Sequence, residues 1–508
     1  MKNRFAEFVC VGISLSLTAC GGSGSSSSPS GSAGTGSTPT TYTVGGKVEG
    51  LGKAQVVLAS GGSSSSTVSV ASNGTFTFPT PVTSGSSYAV TVQTQPSTPG
   101  EQCNVSNGSG SVSSSNVTDI TVICTTVSGF LYYLVGNQIY SYSIDPGTGI
   151  PAAFGSPVTV PNPSSNMNWS RLTASPNGDY LYVDGATTDG YGNGSVMIYA
   201  VDHGTGALTA VGTPTAVGIQ TSVAAVSSKG FVFVYAGNGQ TVARPGTPAG
   251  SPTVQEYAVN TDGSLNLLGT PLTYVPNSLA RLAVTPDGKF LYTLTNSPSA
   301  TTPAPLTLTA YSIDPTTGAL AAGASVNVGA ADLGLTVDPL GRFIYLSNYT
   351  GSTFQASAVL TSYAINSSTG ALTAVGTGTT VQSNVGQLLA DPSGVSLYMA
   401  NNLNFTAAQD SLQALSIDQS GTITLNGSSM QTNPAGSVPW QLLSESTGRY
   451  IYLESQSGST TNSTLLSTFS VSTASGTSGQ LVSVGSPITL PSTSTGSMAY
   501  VQGSASGG

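Results

Sequence analysis

Charge is scarce in this sequence. Of 508 residues, 6% are Asp, Glu, Lys or Arg, against roughly 25% in an ordinary soluble domain. A helical bundle is excluded, because amphipathic helices need a charged face and interiors poor in glycine. Histidine occurs once and cysteine four times, which leaves little room for a metal centre or thiol catalysis. Basic residues are the scarcer sign: 11 against 20 acidic, for a net charge of −9. Nucleic acid and anionic membrane surfaces are therefore poor partners. What is abundant is 63 Gly and a 38% hydrophobic fraction that includes 22 Tyr and 13 Phe. That is enough apolar surface to bury a core, so the chain is not wholly disordered. Its length suggests about two to three domains, and its composition an all-β protein.

The N-terminus reads as an address, over residues 1–40. Lys2 and Arg4 precede an apolar run from Phe8 to Ala19, too short to span a bilayer and of signal-peptide length. It ends in Leu17-Thr18-Ala19-Cys20-Gly21, which resembles the bacterial lipobox. The resemblance implies a signal over 1–19 and a lipid on Cys20. Gly21 rather than Asp after the cysteine resembles lipoproteins bound for the outer membrane. Residues up to Thr40 are almost wholly Gly, Ser, Thr and Pro, a flexible tether. The membrane is thus expected as a partner through the lipid alone.

With Cys10 in the signal and Cys20 acylated, Cys103 and Cys124 remain, and in an oxidising compartment a disulfide is the default. Short alternating runs between Tyr42 and Cys124 are separated by Gly, Ser, Asn and Pro, and Asn73-Gly74 reads as a hairpin turn. Residues 41–126 are expected to form a small β-sandwich. They resemble the Ig-like modules of bacterial surface lipoproteins.

From Val127 two motifs alternate. One is a turn and strand, as in TPDGKFLYT (285–293), DPLGRFIYL (338–346) and ESTGRYIYL (445–453). The other is a strand and turn, as in YSIDPGTGI (142–150), YSIDPTTGAL (311–320) and YAINSSTGAL (363–372). The anchors Tyr142, Tyr199, Tyr257, Tyr311, Tyr363, Leu415 and Phe469 recur every 52–58 residues. Seven four-stranded units predict a seven-bladed β-propeller over 127–508. The first unit lacks an inner strand and the chain ends on an unpaired one, Ser497 to Val501, so the C-terminal strand is expected to close the ring.

Repeats reading DPLGRFIYLSN and YSIDPTTGAL resemble the lactonase-type propellers, similar to 6-phosphogluconolactonase and carboxy-muconate cyclase. The resemblance implies a site at the channel mouth, with a histidine seven residues before the turn glycine. Here those positions are Arg171, Val223, Arg281, Gly334, Gln387 and Gln441. The one histidine, His203, falls in an outer turn and reads as a solvated turn residue. Lactone hydrolysis needs a general acid or base and a cation for the oxyanion. Arg171 and Arg281 supply cations; no base stands in register. The arginines could instead tie blades through Asp338 or Asp332.

Candidate ligand-binding residues are therefore Arg171, Arg281, Gln387 and Gln441, with Arg244 on a long loop (Asn238 to Pro252). Asp184, Asp189, Asn348, Asn401, Asn402 and Asp410 are placed on neighbouring rim loops. Trp169 and Trp440 read as core packing, the alternative being a sugar-stacking platform. Neither a metal site nor a cofactor is expected. The favoured function is a surface-anchored recognition scaffold for a saccharide, peptide or protein. The alternative is an exported lactonase or cycloisomerase.

Overall fold

The computed structural model describes residues 39–503 except 53–54, 63–64, 95, 97–100, 189–192, 220, 229, 237–252, 261–263, 275–278, 297–304, 331, 350–357, 382–384, 402–410, 432–436, 458–462 and 492–495. Every regular element in it is a strand. No helix among the described residues is long and apolar enough to cross a membrane. Cys20 and its tether up to residue 38, and Arg244, Asp189, Asn402 and Asp410, lie outside the described residues.

Between Thr41 and Thr126 two four-stranded sheets enclose one core that includes Val44, Leu58, Phe76, Val90 and Ile120. Cys103 and Cys124 face each other across antiparallel strands and are disulfide-bonded. Asn73-Gly74 does not turn a hairpin. Ser66–Val70 and Gly74–Thr77 belong to different sheets. The Asn73 side chain instead takes the N–H of Leu51 at 2.8 Å and donates to its carbonyl at 2.9 Å. A side-chain amide imitates a strand partner there, so the residue pair that favours a turn links two sheets.

Seven sheets follow, each with its strands in chain order from inner to outer, except the first. There the second, third and outer strands (Gly129–Val135, Gln138–Ile144, Pro151–Thr159) are completed by Ser497–Gln502 as inner strand. The ring closes through its C-terminus, as the sequence pattern predicts.

The two motifs alternate because each is half of a contact between adjacent blades. An aromatic at or beside the start of the second strand lies beneath the turn glycine of the next blade, except in blade six, where Ser396 lies beneath Gly479. Phe130 sits under Gly206, Phe290 under Gly370, and Tyr450 under Gly149. Two residues on in these three blades, a buried tyrosine donates to that glycine's carbonyl: Tyr132 to Gly206 at 2.9 Å, Tyr292 to Gly370 at 2.8 Å, Tyr452 to Gly149 at 3.0 Å. The hydroxyls of Tyr345 and Tyr398, at the same position in blades five and six, make no such bond. Each of these glycines has φ between 70° and 73°, a left-handed conformation that strains other residues, and a Cβ would strike the ring below. The turn itself is set by the acidic residue before it. Asp314 accepts from the N–H groups of Thr316 and Thr317 at 3.0 and 2.7 Å and from the Thr317 hydroxyl at 2.9 Å. These bonds, the Thr317 N–H foremost, hold its carboxyl below the usual range.

Blade three lacks the tyrosine itself. Phe233 stands where the other second strands carry tyrosine, so Gly318 receives no phenolic hydroxyl. Glu256, on the adjacent third strand, fills the space: a Cβ on Gly318 would collide with its Oε1. Glu256 is 8% exposed and that oxygen accepts no hydrogen bond. Burial raises its pKa from 4.5 to about 7. A neutral carboxyl is a donor, and it stands beside the glycine that lacks one.

Candidate functional site at the channel mouth

Each inner strand has a sheet partner on one side only, so every second backbone N–H points away from the blade. Enclosed between blades, those groups need acceptors. In six of the seven inner strands the register slips by one residue near the upper rim, the end carrying the loops between second and third strands. Such bulges re-aim the side chains beside them. The unpaired residue is Ser170, Ala224, Ala280, Leu333, Gly386 or Trp440. In every blade but the third, the position immediately after it is the one singled out from the sequence.

Two of those positions serve the backbone. The Gln387 carbonyl oxygen accepts from the N–H of Leu442 in the next blade. Gln441 accepts from the N–H of Met498 at 2.7 Å and donates to the carbonyl of the same residue at 3.0 Å. Ser497, their counterpart in the closing strand, accepts from the N–H of Leu172 at 3.0 Å. These side chains form a girdle over the seam where the chain ends meet. Arg171 and Arg281 at the same level are exposed, and Val223 and Gly334 bring no polar group.

Carboxylates stand behind the girdle. Asp184 is the register partner of Arg171 and Glu454 of Gln441, and both are 0% exposed. Asp184 lies within Tyr180–Thr187 rather than on a rim loop, and Asn348 and Asn401 likewise end second strands. Those strands are buried on both faces, so no alternation marks where they stop. Burial raises the pKa of Glu454, against hydrogen bonds from Gly496 N–H at 2.7 Å and the Tyr133 hydroxyl at 3.2 Å that lower it. Among the described residues no ion pair joins Arg171 to Asp184, and none includes three or more metal-ligating side chains in one group.

Asp338 does not tie an inner-strand arginine. Its carboxylate is held by Arg342 four residues on, at 2.7 and 3.2 Å, and Arg342 also donates to the Gly394 carbonyl of the next blade at 2.6 Å. His203 is not simply solvated. Its Nδ1 meets the Gln502 carbonyl at 2.7 Å and its Nε2 meets Asp179 at 3.1 Å, so it clasps the closing strand from blade two. Trp169 is 3% exposed and donates to Asn162 at 2.7 Å, as a core residue should. Trp440, the bulged residue of blade seven, is 52% exposed, against its reading as core.

Fold and channel mouth together define a seven-bladed β-propeller closed by its own C-terminus. Residues 242–384 match the family model of the lactonase seven-bladed β-propeller. Solved structures share the fold at low identity. The periplasmic gluconolactonase PpgL of Pseudomonas aeruginosa has TM-score 0.50 and 19% identity, over 73% of this chain and 99% of its own. A candidate 6-phosphogluconolactonase from Bacteroides uniformis has TM-score 0.51 and 16% identity, over 74% and 100%. A Lactobacillus plantarum protein has TM-score 0.52 and 14% identity, over the same shares. No curated protein gives a significant match.

Proposed function

We propose that this protein is a cell-envelope lipoprotein, anchored through Cys20 at the outer membrane, whose lactonase-type ring binds a ligand at its upper rim without transforming it. The observation that carries this reading is the state of the channel-mouth carboxylates. A hydrolase needs a base that meets its substrate, and Glu454 and Asp184 are both sealed from solvent. The side chains directly before them do not open a path, since Gln441 is bound to both polar groups of Met498. The exposed groups at the same level, Arg171 and Arg281, are cations, which recognise oxygen-rich ligands and do not abstract protons. His203, in the turn between third and fourth strands at the opposite end of the blades, is engaged with Gln502 and Asp179.

The test is a pH-stat measurement of D-glucono-1,5-lactone hydrolysis by the full chain. The expected result is the spontaneous rate at every protein concentration. Acceleration proportional to protein, abolished in Arg171→Ala, would establish the lactonase instead. Anchoring is tested separately: Cys20→Ala should move the protein from the membrane to the soluble fraction, and a variant that stays with the membrane refutes the lipid.

A further inference from the structure

We propose that Trp440 is a stacking platform for a pyranose ring at the channel mouth, so that the ligand is a saccharide; this rests on the reading of the ring as a binding scaffold. Large exposed apolar residues of the ring occur elsewhere among the described residues, but on outer strands, as Leu267, Leu425 and Val482, or in lower turns, as Leu340 and Val395, and Ile123 lies in the N-terminal sandwich. Trp440 alone of them lies on an inner strand of the ring. An inner strand meets solvent only along the central channel, so the half-exposed indole faces the channel mouth.

Its presentation is rigid. Pro439 before it is buried and fixes its own φ. Gln441 after it is pinned by two hydrogen bonds to Met498. Between them the bulge excludes Trp440 from the ladder, since Pro439 pairs Ser455 and Gln441 pairs Glu454. The five other bulged positions hold Ser, Ala, Ala, Leu and Gly, so the aromatic is particular to blade seven.

An indole held in water on a preorganised backbone is costly for solubility and matches the apolar C–H face of a sugar ring. Arg171 and Arg281 supply exposed donors at the same level. An apolar face beside polar groups is the complement of a saccharide, whereas a peptide partner would favour a wider apolar patch.

The two tryptophans make the experiment direct, because one is buried and the other exposed. The full chain is titrated with cellohexaose and with chitohexaose, following tryptophan emission and its quenching by acrylamide, with calorimetry in parallel. The expected result is a blue shift and protection from acrylamide. Trp440→Ala should weaken binding roughly ten- to thirty-fold, and Trp169→Phe should retain the emission change. Calorimetric binding left intact in a folded Trp440→Ala variant overturns the platform but leaves the binding scaffold standing. Binding of neither sugar overturns the saccharide assignment, while the lactone assay judges the scaffold independently.

Discussion

Glu256 makes the stability of the ring depend on pH in a direction opposite to that of a salt-bridged acid. Its folded pKa, about 7, lies above the ordinary 4.5. The folded state therefore holds the proton more tightly than the unfolded chain. Its contribution is complete below pH 4.5 and is lost as pH rises through 7. Taken whole, the difference corresponds to about 3 kcal/mol. Solvent penetration and relaxation around the carboxylate reduce this, and we expect ~1–2 kcal/mol. The perturbation is Glu256→Gln, which keeps a donor beside Gly318 and removes the charge. Thermal and urea unfolding from pH 5 to 8.5, followed by circular dichroism, should show the variant losing ~1–2 kcal/mol less than wild type over that range. Glu454 and Asp391, whose carboxyls burial also pushes up, are present in both proteins and cancel in the difference. Parallel pH profiles for the two proteins would refute the assignment.

Three further outcomes follow from the contacts described. Removing residues 496–508 strips blade one of its inner strand and should cost several kcal/mol with onset of aggregation, read by melting and light scattering; an unchanged melt refutes closure. Gln441→Ala leaves the N–H and carbonyl of Met498 unpaired and should cost about 1–3 kcal/mol in urea unfolding, whereas a spare exposed glutamine would cost nothing. Replacing Cys103 and Cys124 by alanine should lower the stability of the N-terminal sandwich by roughly 3 kcal/mol and leave the ring's transition in place, seen as two separable calorimetric transitions.

The ring was legible because its signals repeat: an aromatic, a tyrosine and a glycine recur in most units at spacings fixed by contacts between blades. Closure was legible for the same reason, since one unit lacked a strand and one strand lacked a unit. Bulges leave no such trace. Nothing in Val438-Pro439-Trp440-Gln441 says that Trp440 drops out of the ladder, so its exposure could not be read. The girdle was half visible. Register picked out Gln387 and Gln441, but their partners belong to strands some 55 residues away, beyond any local pattern. Asn73-Gly74 misled because a turn-forming pair describes the local chain and not which sheet the next strand joins.

Closure through the last strand also sets an order of events. The Tyr500 hydroxyl meets the Ser128 carbonyl across 372 residues of chain. As the chain folds, blades two to seven can each assemble from neighbouring segments, while blade one waits with an unpaired inner edge until Ser497–Gln502 reaches it. Pairing of such distant segments is slow and exposes an edge to other chains in the meantime. His203, Gln441, Glu454 and Ser497 all act on that late strand, from blade two, blade seven and the strand itself. Their concentration at one seam turns the slowest step of assembly into the most heavily fastened joint of the finished ring.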